Sequence, residues 1–433
     1  MAKNTGLIFR MENDSSAAVG DADATEVLAQ QAELDQGVDE VQSASGDVTD
    51  VETGIENALE ASGELESIQG SLQEAVDENE GITPREAEHI NVRIERVASL
   101  LGVTAQDMGL VFRKESFGGK TGRLAATKYK LEETKAWYKK VWEAIKRGWE
   151  MLKEGLKSLW SGLTKNAEMI EKRLKLLQGQ ISTLKTKNAE KKNSSVKYEA
   201  KKFSINGETN LASIEGLVKN AIDSDEWARG VVSVISPSET EKDFHNEISA
   251  AFNKGSLIRK DSNLPKSAEK DAKCVLRLLG GRGITVAPKK ETIGGAEFDS
   301  ISIRVDEIDE KIDDSYDALT LDQLGSLCTQ SIALAKSIVS NKKYENDVQN
   351  VINANIAYMN SMVKTAESLA SKAEKEAKDS ETETAELTRL NSTIAIAAVK
   401  TVSNVVPKFR FDTALAVSRL IAGGVSNYKE KND

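Results

Sequence analysis

Only a handful of residues in this 433-residue chain stand at spacings that could do chemistry. Gly118-Gly-Lys-Thr121 has the ending of a phosphate-binding loop. Such a loop also needs a glycine five residues before Gly119, and Lys114 stands there. Gly280-Gly-Arg-Gly283 is glycine-rich but lacks the G-x-G-x-x-G spacing and a following helix, so it reads as a tight turn before a strand. Asp21-Ala-Asp23 opens like a calcium loop, yet Glu26 occupies the position that must be glycine. The two histidines, His89 and His245, lie far apart, and no cluster has the ligand spacing of a zinc site. Cys274 and Cys328 are isolated, which points away from a disulfide scaffold and towards a reducing compartment. No enzyme, cofactor or metal is expected. A catalytic pocket, as a rival, would be sought near Asp223, Asp225, Glu226 and Arg229.

The charge pattern says more than these motifs. The net charge of −11 averages three unlike parts. Residues 1–115 hold 25 Asp/Glu against 7 Lys/Arg, net −18. Residues 116–202 hold 9 against 22, net +13, and residues 203–433 hold 35 against 29, net −6. From Met11 to Pro84 there are 20 acidic residues and no Lys or Arg. Segregation this sharp suggests parts that act at different times or on different partners.

The elements that carry these charges are mostly helical by composition and spacing. Residues 1–81 contain one aromatic, Phe9, and are expected to be disordered or conditionally helical. Within them Val51, Ile55, Leu59, Leu65, Ile68 and Leu72 could line one face of a helix that pairs with a partner. Thr83, Pro84 and Glu86 make a capping box that starts a helix over 84–101, closed by Gly102. Residues 123–192 read as one or two long basic helices. There Trp137, Val141, Ile145, Trp149, Leu152, Leu156, Leu159 and Leu163 recur at three and four, and Trp142 and Trp160 widen the stripe. Strands are expected at 197–205, 274–279, 283–287 and 298–305, in a small antiparallel α+β domain. Helices return over 319–380 and 384–430. The fold class is therefore mainly α, with long helices, a small inserted α+β domain and an acidic disordered N-terminal segment. The expected division is 1–115, 116–195, 196–310 and 311–433. The longest apolar run, Ile394 to Val399, is far below the roughly 20 residues that span a bilayer. Met1 to Arg10 lacks the apolar core of a signal peptide.

The basic tryptophan helix admits two readings, a functional contact face or core. Trp137, Trp142, Trp149 and Trp160 beside Lys139, Lys140, Lys146 and Lys153 suit a membrane interface, and the lysines suit a DNA backbone bound without sequence preference. Alternatively the tryptophan and leucine stripe is core, with the lysines in solvent.

The order of an acidic segment with a capped helix, then Glu115-Ser-Phe-Gly-Gly119, then a basic Trp-rich helix resembles the internal head proteins of large contractile-tailed bacteriophages. The resemblance is strongest over residues 80–180. It implies a structural protein built into the prohead core and cut after a glutamate by the prohead protease. The mature form would stay inside the capsid with packaged double-stranded DNA. Its partners would be core and capsid proteins, and its site of assembly the host cytoplasm. The cut would fall between Glu115 and Ser116, although Arg113 and Lys114 depart from the small or aliphatic residues such proteases prefer. Ser62-Gly-Glu64 is a second candidate and Ala32-Glu33 a third. Removing 1–115 would change the net charge from −11 to +7. An ejected protein that acts on the host, or on its membrane through the Trp-rich helix, is the alternative.

Overall fold

A computed structural model describes residues 21–113, 117–205, 207–235, 244–254, 271–293, 296–309, 313–371 and 378–429. Two long helices organise it. Helix α1 (Asp21–Asp77) has 57 residues and would extend about 85 Å. Helices α2 (Pro84–Leu101) and α3 (Ala105–Met108) follow, then α4 (Lys120–Thr186), with 67 residues and about 100 Å. Of the two states that the acidic segment admits, residues 21–77 take the helix, and the partner lies in the same chain. The expectation for residues 1–20 lies outside the described residues.

The reason lies in a seven-residue repeat. On α1, Leu34, Val41, Val48 and Ile55 recur every seven residues, and each is at most 2% exposed. On α4, Gly148, Gly155 and Gly162 recur at the same interval. A Cβ added at Gly148 would lie 2.6 Å from Ile55 Cγ1. At Gly155 it would lie 3.2 Å from Val48 Cγ2, and at Gly162 3.2 Å from Val41 Cγ2. As one number rises the other falls, so the helices run antiparallel in fixed register. Each β-branched side chain of α1 enters a gap that only glycine leaves open. The low apolar content of α1 is sufficient because a narrow seam facing glycine needs few large side chains.

Helix α4 is buried on its other sides as well. Trp142, Trp149, Leu156, Leu163, Ile170 and Leu177 form a second column at intervals of seven, all at most 4% exposed. Helices α7 (Leu321–Val339), α8 (Lys342–Ser371) and α10 (Val406–Ser426) pack around it. Helix α9 (Lys378–Lys400) continues through a π-helical turn, Thr401–Val405, straight into α10. The expected helix over 319–380 is thus two helices, broken at Ser340 and Asn341.

Between α4 and α7 lie α5 (Leu211–Val232), α6 (Phe244–Asn253) and the sheet. Strands β3 (Lys273–Arg277), β4 (Arg282–Ile293) and β5 (Ala296–Glu307) form an antiparallel sheet in that order. Short pairs join β1 (Glu190–Lys191) to β7 (Tyr428–Lys429) and β2 (Ser195–Val196) to β6 (Tyr316–Asp317). The strand expected over 197–205 is not formed. That run carries a 3-10 turn, Ala200–Phe203, ladder pairing ends at Val196, and Ile205 makes only an isolated bridge to Glu208. Buried Ala200 and Phe203 are three residues apart, which puts them on one side of a 3-10 turn but on opposite faces of a strand.

The glycine column predicts a sign change between backgrounds. Gly148→Ala should cost about 1–3 kcal/mol by overpacking against Ile55. In an Ile55→Ala background the same change should be neutral or stabilising, since alanine is the better helix former by about 1 kcal/mol. Urea unfolding of the four proteins in a double-mutant cycle measures this, and equal effects in both backgrounds would refute the register.

Candidate functional site: the basic helix and its acidic partner

The tryptophans of α4 lie inside. Trp142 and Trp149 are fully buried and Trp160 is 4% exposed. Trp160 donates its indole N–H to the Ser403 carbonyl at 2.9 Å. Trp137 is half-buried and donates to the Met108 carbonyl at 2.8 Å, with Lys140 4.6 Å over its ring. Within the intact chain Trp142, Trp149 and Trp160 are core side chains, and the expected contact with a bilayer or DNA concerns the more exposed Trp137 and the lysines. Of the two readings left open, these side chains follow the core one.

The lysines of the expected face flank this core. Lys139 and Lys146 each stand 4.0 Å from a glutamate one turn on, Glu143 and Glu150. Lys153 is half-buried and Lys140 exposed. Surface pairs of this kind contribute roughly 0–1 kcal/mol, so these charges remain available to a partner. Further along the outer ridge of α4, Arg147, Lys157, Lys165, Lys172 and Lys175 are exposed. Beside it runs the outer ridge of α1, where Asp39, Glu40, Asp47 and Asp50 are exposed. Glu40 and Lys165 line the same shallow cleft between the two helices. At that cleft the acidic helix and the basic helix meet within a single molecule.

Three features fix the approach to Glu115. Thr127 Oγ1 accepts from the Ile82 amide at 2.9 Å, which ties the turn after α1 to the start of α4. Asn91 of α2 holds Phe112 through both backbone groups, at 2.8 and 3.0 Å. The rings of Phe112 and Phe117 stack with centroids 6.3 Å apart. Glu115 and Ser116 themselves lie outside the described residues. Residues 110–113 before them have no regular structure, and α4 begins at Lys120. Glu64, in contrast, sits inside α1 and pairs with Arg93 at 2.9 Å and Arg96 at 3.4 Å. Glu33 is also within α1. Glu64 and Glu33 thus stand in a helix, whereas the described residues 110–113 are non-helical with Leu110 and Phe112 buried.

The middle of the helix pair is held by polar contacts that the sequence did not announce. A π-turn leaves main-chain carbonyls outside the regular i→i−4 ladder. Here Tyr344 donates to the Val402 carbonyl and Trp160 to that of Ser403. Asn404 reaches α1: Ser45 Oγ donates to its Oδ1 at 3.0 Å, and its Nδ2 donates to Glu52 Oε2 at 3.2 Å. Lys400 pairs with Glu56 at 3.3 Å. Burial pushes the Glu52 carboxyl up to about 7, against the Asn404 hydrogen bond and Lys400. Burial also pushes Glu66 up to about 7, against Arg389. No seven-residue or four-residue apolar pattern marks these contacts. The one cue was a run of Ser, Thr and Glu where a core face would be apolar.

The rival catalytic location is a closed ion-pair network. Asp225 lies between Arg229 at 2.9 Å and Arg410, and Arg410 also donates to Ser337 at 2.7 Å. Arg410 is 2% exposed, so this cluster joins α5, α7 and α10. Among the described residues no group of three His, Cys, Asp or Glu could hold a metal ion.

The raised carboxyl values fix a sign for pH dependence. Glu52 and Glu66 sit above their ordinary value of 4.5 in the folded chain. Between 4.5 and about 7 the folded state therefore binds protons that the unfolded state does not. Their contribution is full below that window and is lost as pH rises through it. The urea midpoint of Glu52→Gln/Glu66→Gln should consequently fall less than that of the wild type from about pH 5 to about pH 8. Parallel curves for the two proteins would contradict this.

The model of a family described as phiKZ-like phage internal head proteins matches residues 29–409. No curated protein and no solved structure matches the chain. The matched span takes in α1, α4 and the sheet, together with the π-turn that joins them to the C-terminal helices. With most of its length so matched, the chain belongs to the phiKZ-like phage internal head proteins, structural components carried within the phage head.

Proposed function

We propose that this internal head protein is assembled into the prohead core through its acidic N-terminal segment, that the prohead protease cuts the chain between Glu115 and Ser116, and that the mature form lies beside packaged DNA. The observation that carries this reading is the placement of charge. Helix α1, from the segment of net −18, is seated along α4, from the segment of net +13. In that arrangement the acidic ridge offsets the positive field of α4 and keeps polyanions from it during assembly. Loss of the segment changes the sign of the whole chain, to +7, when DNA is to be accommodated. Lysines freed in this way bind phosphate backbone with release of counterions.

Cutting the chain does not by itself free the acidic segment. Helix α1 must also unseat from α4, and its departure uncovers the glycine face that Val41, Val48 and Ile55 occupy. The capsid environment, or another core protein, would then cover that face. The partners of the proposed cycle are the core and capsid proteins, the prohead protease and double-stranded DNA. The burial of Trp142, Trp149 and Trp160 in the intact chain favours this reading over insertion of the Trp-rich helix into a host membrane.

N-terminal sequencing of the protein from purified mature particles tests the proposal. A start at Ser116 is expected. A start after another glutamate would move the cut, and a start at Met1 or Ala2 would overturn the processing scheme.

A further inference from the structure

The Gly280-Gly-Arg-Gly283 turn, which has no role in the helix pair, forms one wall of a notch of about 280 Å³. Gly280 and Gly281 both adopt left-handed backbone, with φ of 71° and 70°. That conformation closes the turn, and the Leu278 amide donates to the Arg282 carbonyl at 2.8 Å. The turn is pinned from two further sides. Gly281 accepts from the Ile308 amide at 2.8 Å, and the Gly280 amide donates to Lys202 at 2.9 Å. Behind it Arg277 and Asp309 form a buried ion pair at 3.0 Å. Arg282 therefore projects from a fixed support.

The opposite wall comes from the end of α9, the π-turn and the start of α10. Lys400, Asn404, Lys408 and Asp412 follow one another at intervals of four and line the same notch. Lys400 is engaged by Glu56, and Glu52 sits behind Asn404. Arg282 and Lys408 are closed off by no hydrogen bond or ion pair among the described residues. The carboxylate that acts on both is Asp412. Its pKa is raised by burial, against Lys408, Lys202, Arg282 and Arg419. Two cations from different elements thus converge on one recess and leave their donors unused.

We infer that this notch seats a phosphate of a nucleic-acid strand, with Arg282 and Lys408 as its donors. The inference rests on the proposed position of the protein beside DNA and assigns a contact distinct from the α4 ridge. Arginine offers a planar fork to phosphate oxygens and lysine a point charge, a pairing suited to a tetrahedral anion. A lipid headgroup carries the same phosphate, but of the large apolar side chains that line the recess only Val305 is markedly exposed, at 42%. A bilayer contact needs more apolar surface than that.

The test is the salt dependence of duplex DNA binding by the full chain. Each phosphate contact contributes a slope of about −0.9 in log K against log salt. Arg282→Gln/Lys408→Gln should make the slope shallower by about one. Its thermal midpoint should match the wild type, because neither side chain holds the fold. Lys185→Gln/Lys187→Gln, which removes equal charge at the far end of α4, should leave the slope nearer to the wild-type value. Should the notch variant unfold, the charge-preserving Arg282→Lys/Lys408→Arg must keep the full slope. An unchanged slope in the notch variant, or equal losses in both glutamine variants, would overturn the site while leaving DNA binding intact. A full chain that binds no DNA would overturn the notch as a phosphate seat, while the proposed placement of the mature form beside DNA stands or falls on the start found by N-terminal sequencing. Binding to anionic phosphatidylglycerol vesicles in its place, lost with Arg282 and Lys408, would reassign the notch to a lipid headgroup.

Discussion

The close approach of α1 to α4 is the constraint on which the rest of the molecule depends. Gly148, Gly155 and Gly162 admit Ile55, Val48 and Val41 so closely that an added Cβ would clash at 148 and crowd its neighbour at 155 and 162. This seam gives an acidic, alanine- and serine-rich helix a place to bury its few apolar side chains. Without it, the acidic segment has too little apolar surface to offset the entropy of ordering. With it, the second column of α4, from Trp142 to Leu177, is enclosed on every side, and the C-terminal helices have a fixed axis to pack upon.

Polar contacts then determine where along that axis the other helices sit. Asn404 binds Ser45 and Glu52 of α1, while Trp160 and Tyr344 occupy the carbonyls of the π-turn. One irregular turn thus receives side chains from α1, α4 and α8. Burial of Glu52 holds its carboxyl above the ordinary range, so the stability of this junction varies with pH, whereas the apolar glycine seam carries no titrating group.

Much of the fold was legible in the amino-acid order. The capping box at Thr83 and Glu86 marked α2 to the residue, with both reciprocal hydrogen bonds in place. The strands near 274–279, 283–287 and 298–305 were visible because β-branched runs ended at glycine turns. The stripe from Trp137 to Leu163 was visible as an amphipathic surface, but its role was open between core and interface. Periodicity alone cannot tell which partner covers a stripe. The seating of α1 was harder to see. Its apolar column runs at seven residues with polar and small residues between, and a strict seven-residue repeat drifts by about 20° per heptad against an ideal helix. Three spaced glycines in a lysine-rich helix look like weak points until Val41, Val48 and Ile55 are placed opposite them. The network around Asp225 shows the same limit: acidic residues near Arg229 suggested a pocket, and distant Arg410 closed it.

The most direct measurement of the account is disulfide formation between α1 and α4 in the intact chain. Val48 Cγ2 lies 3.2 Å from the Cβ position of residue 155, a geometry within reach of a disulfide. Under mild oxidation Val48→Cys/Gly155→Cys should cross-link rapidly, and Val48→Cys/Gly162→Cys, one heptad away, should not. Cross-linking of the second pair in preference to the first, or of neither in a folded protein, would contradict the seating of the acidic helix on the basic one.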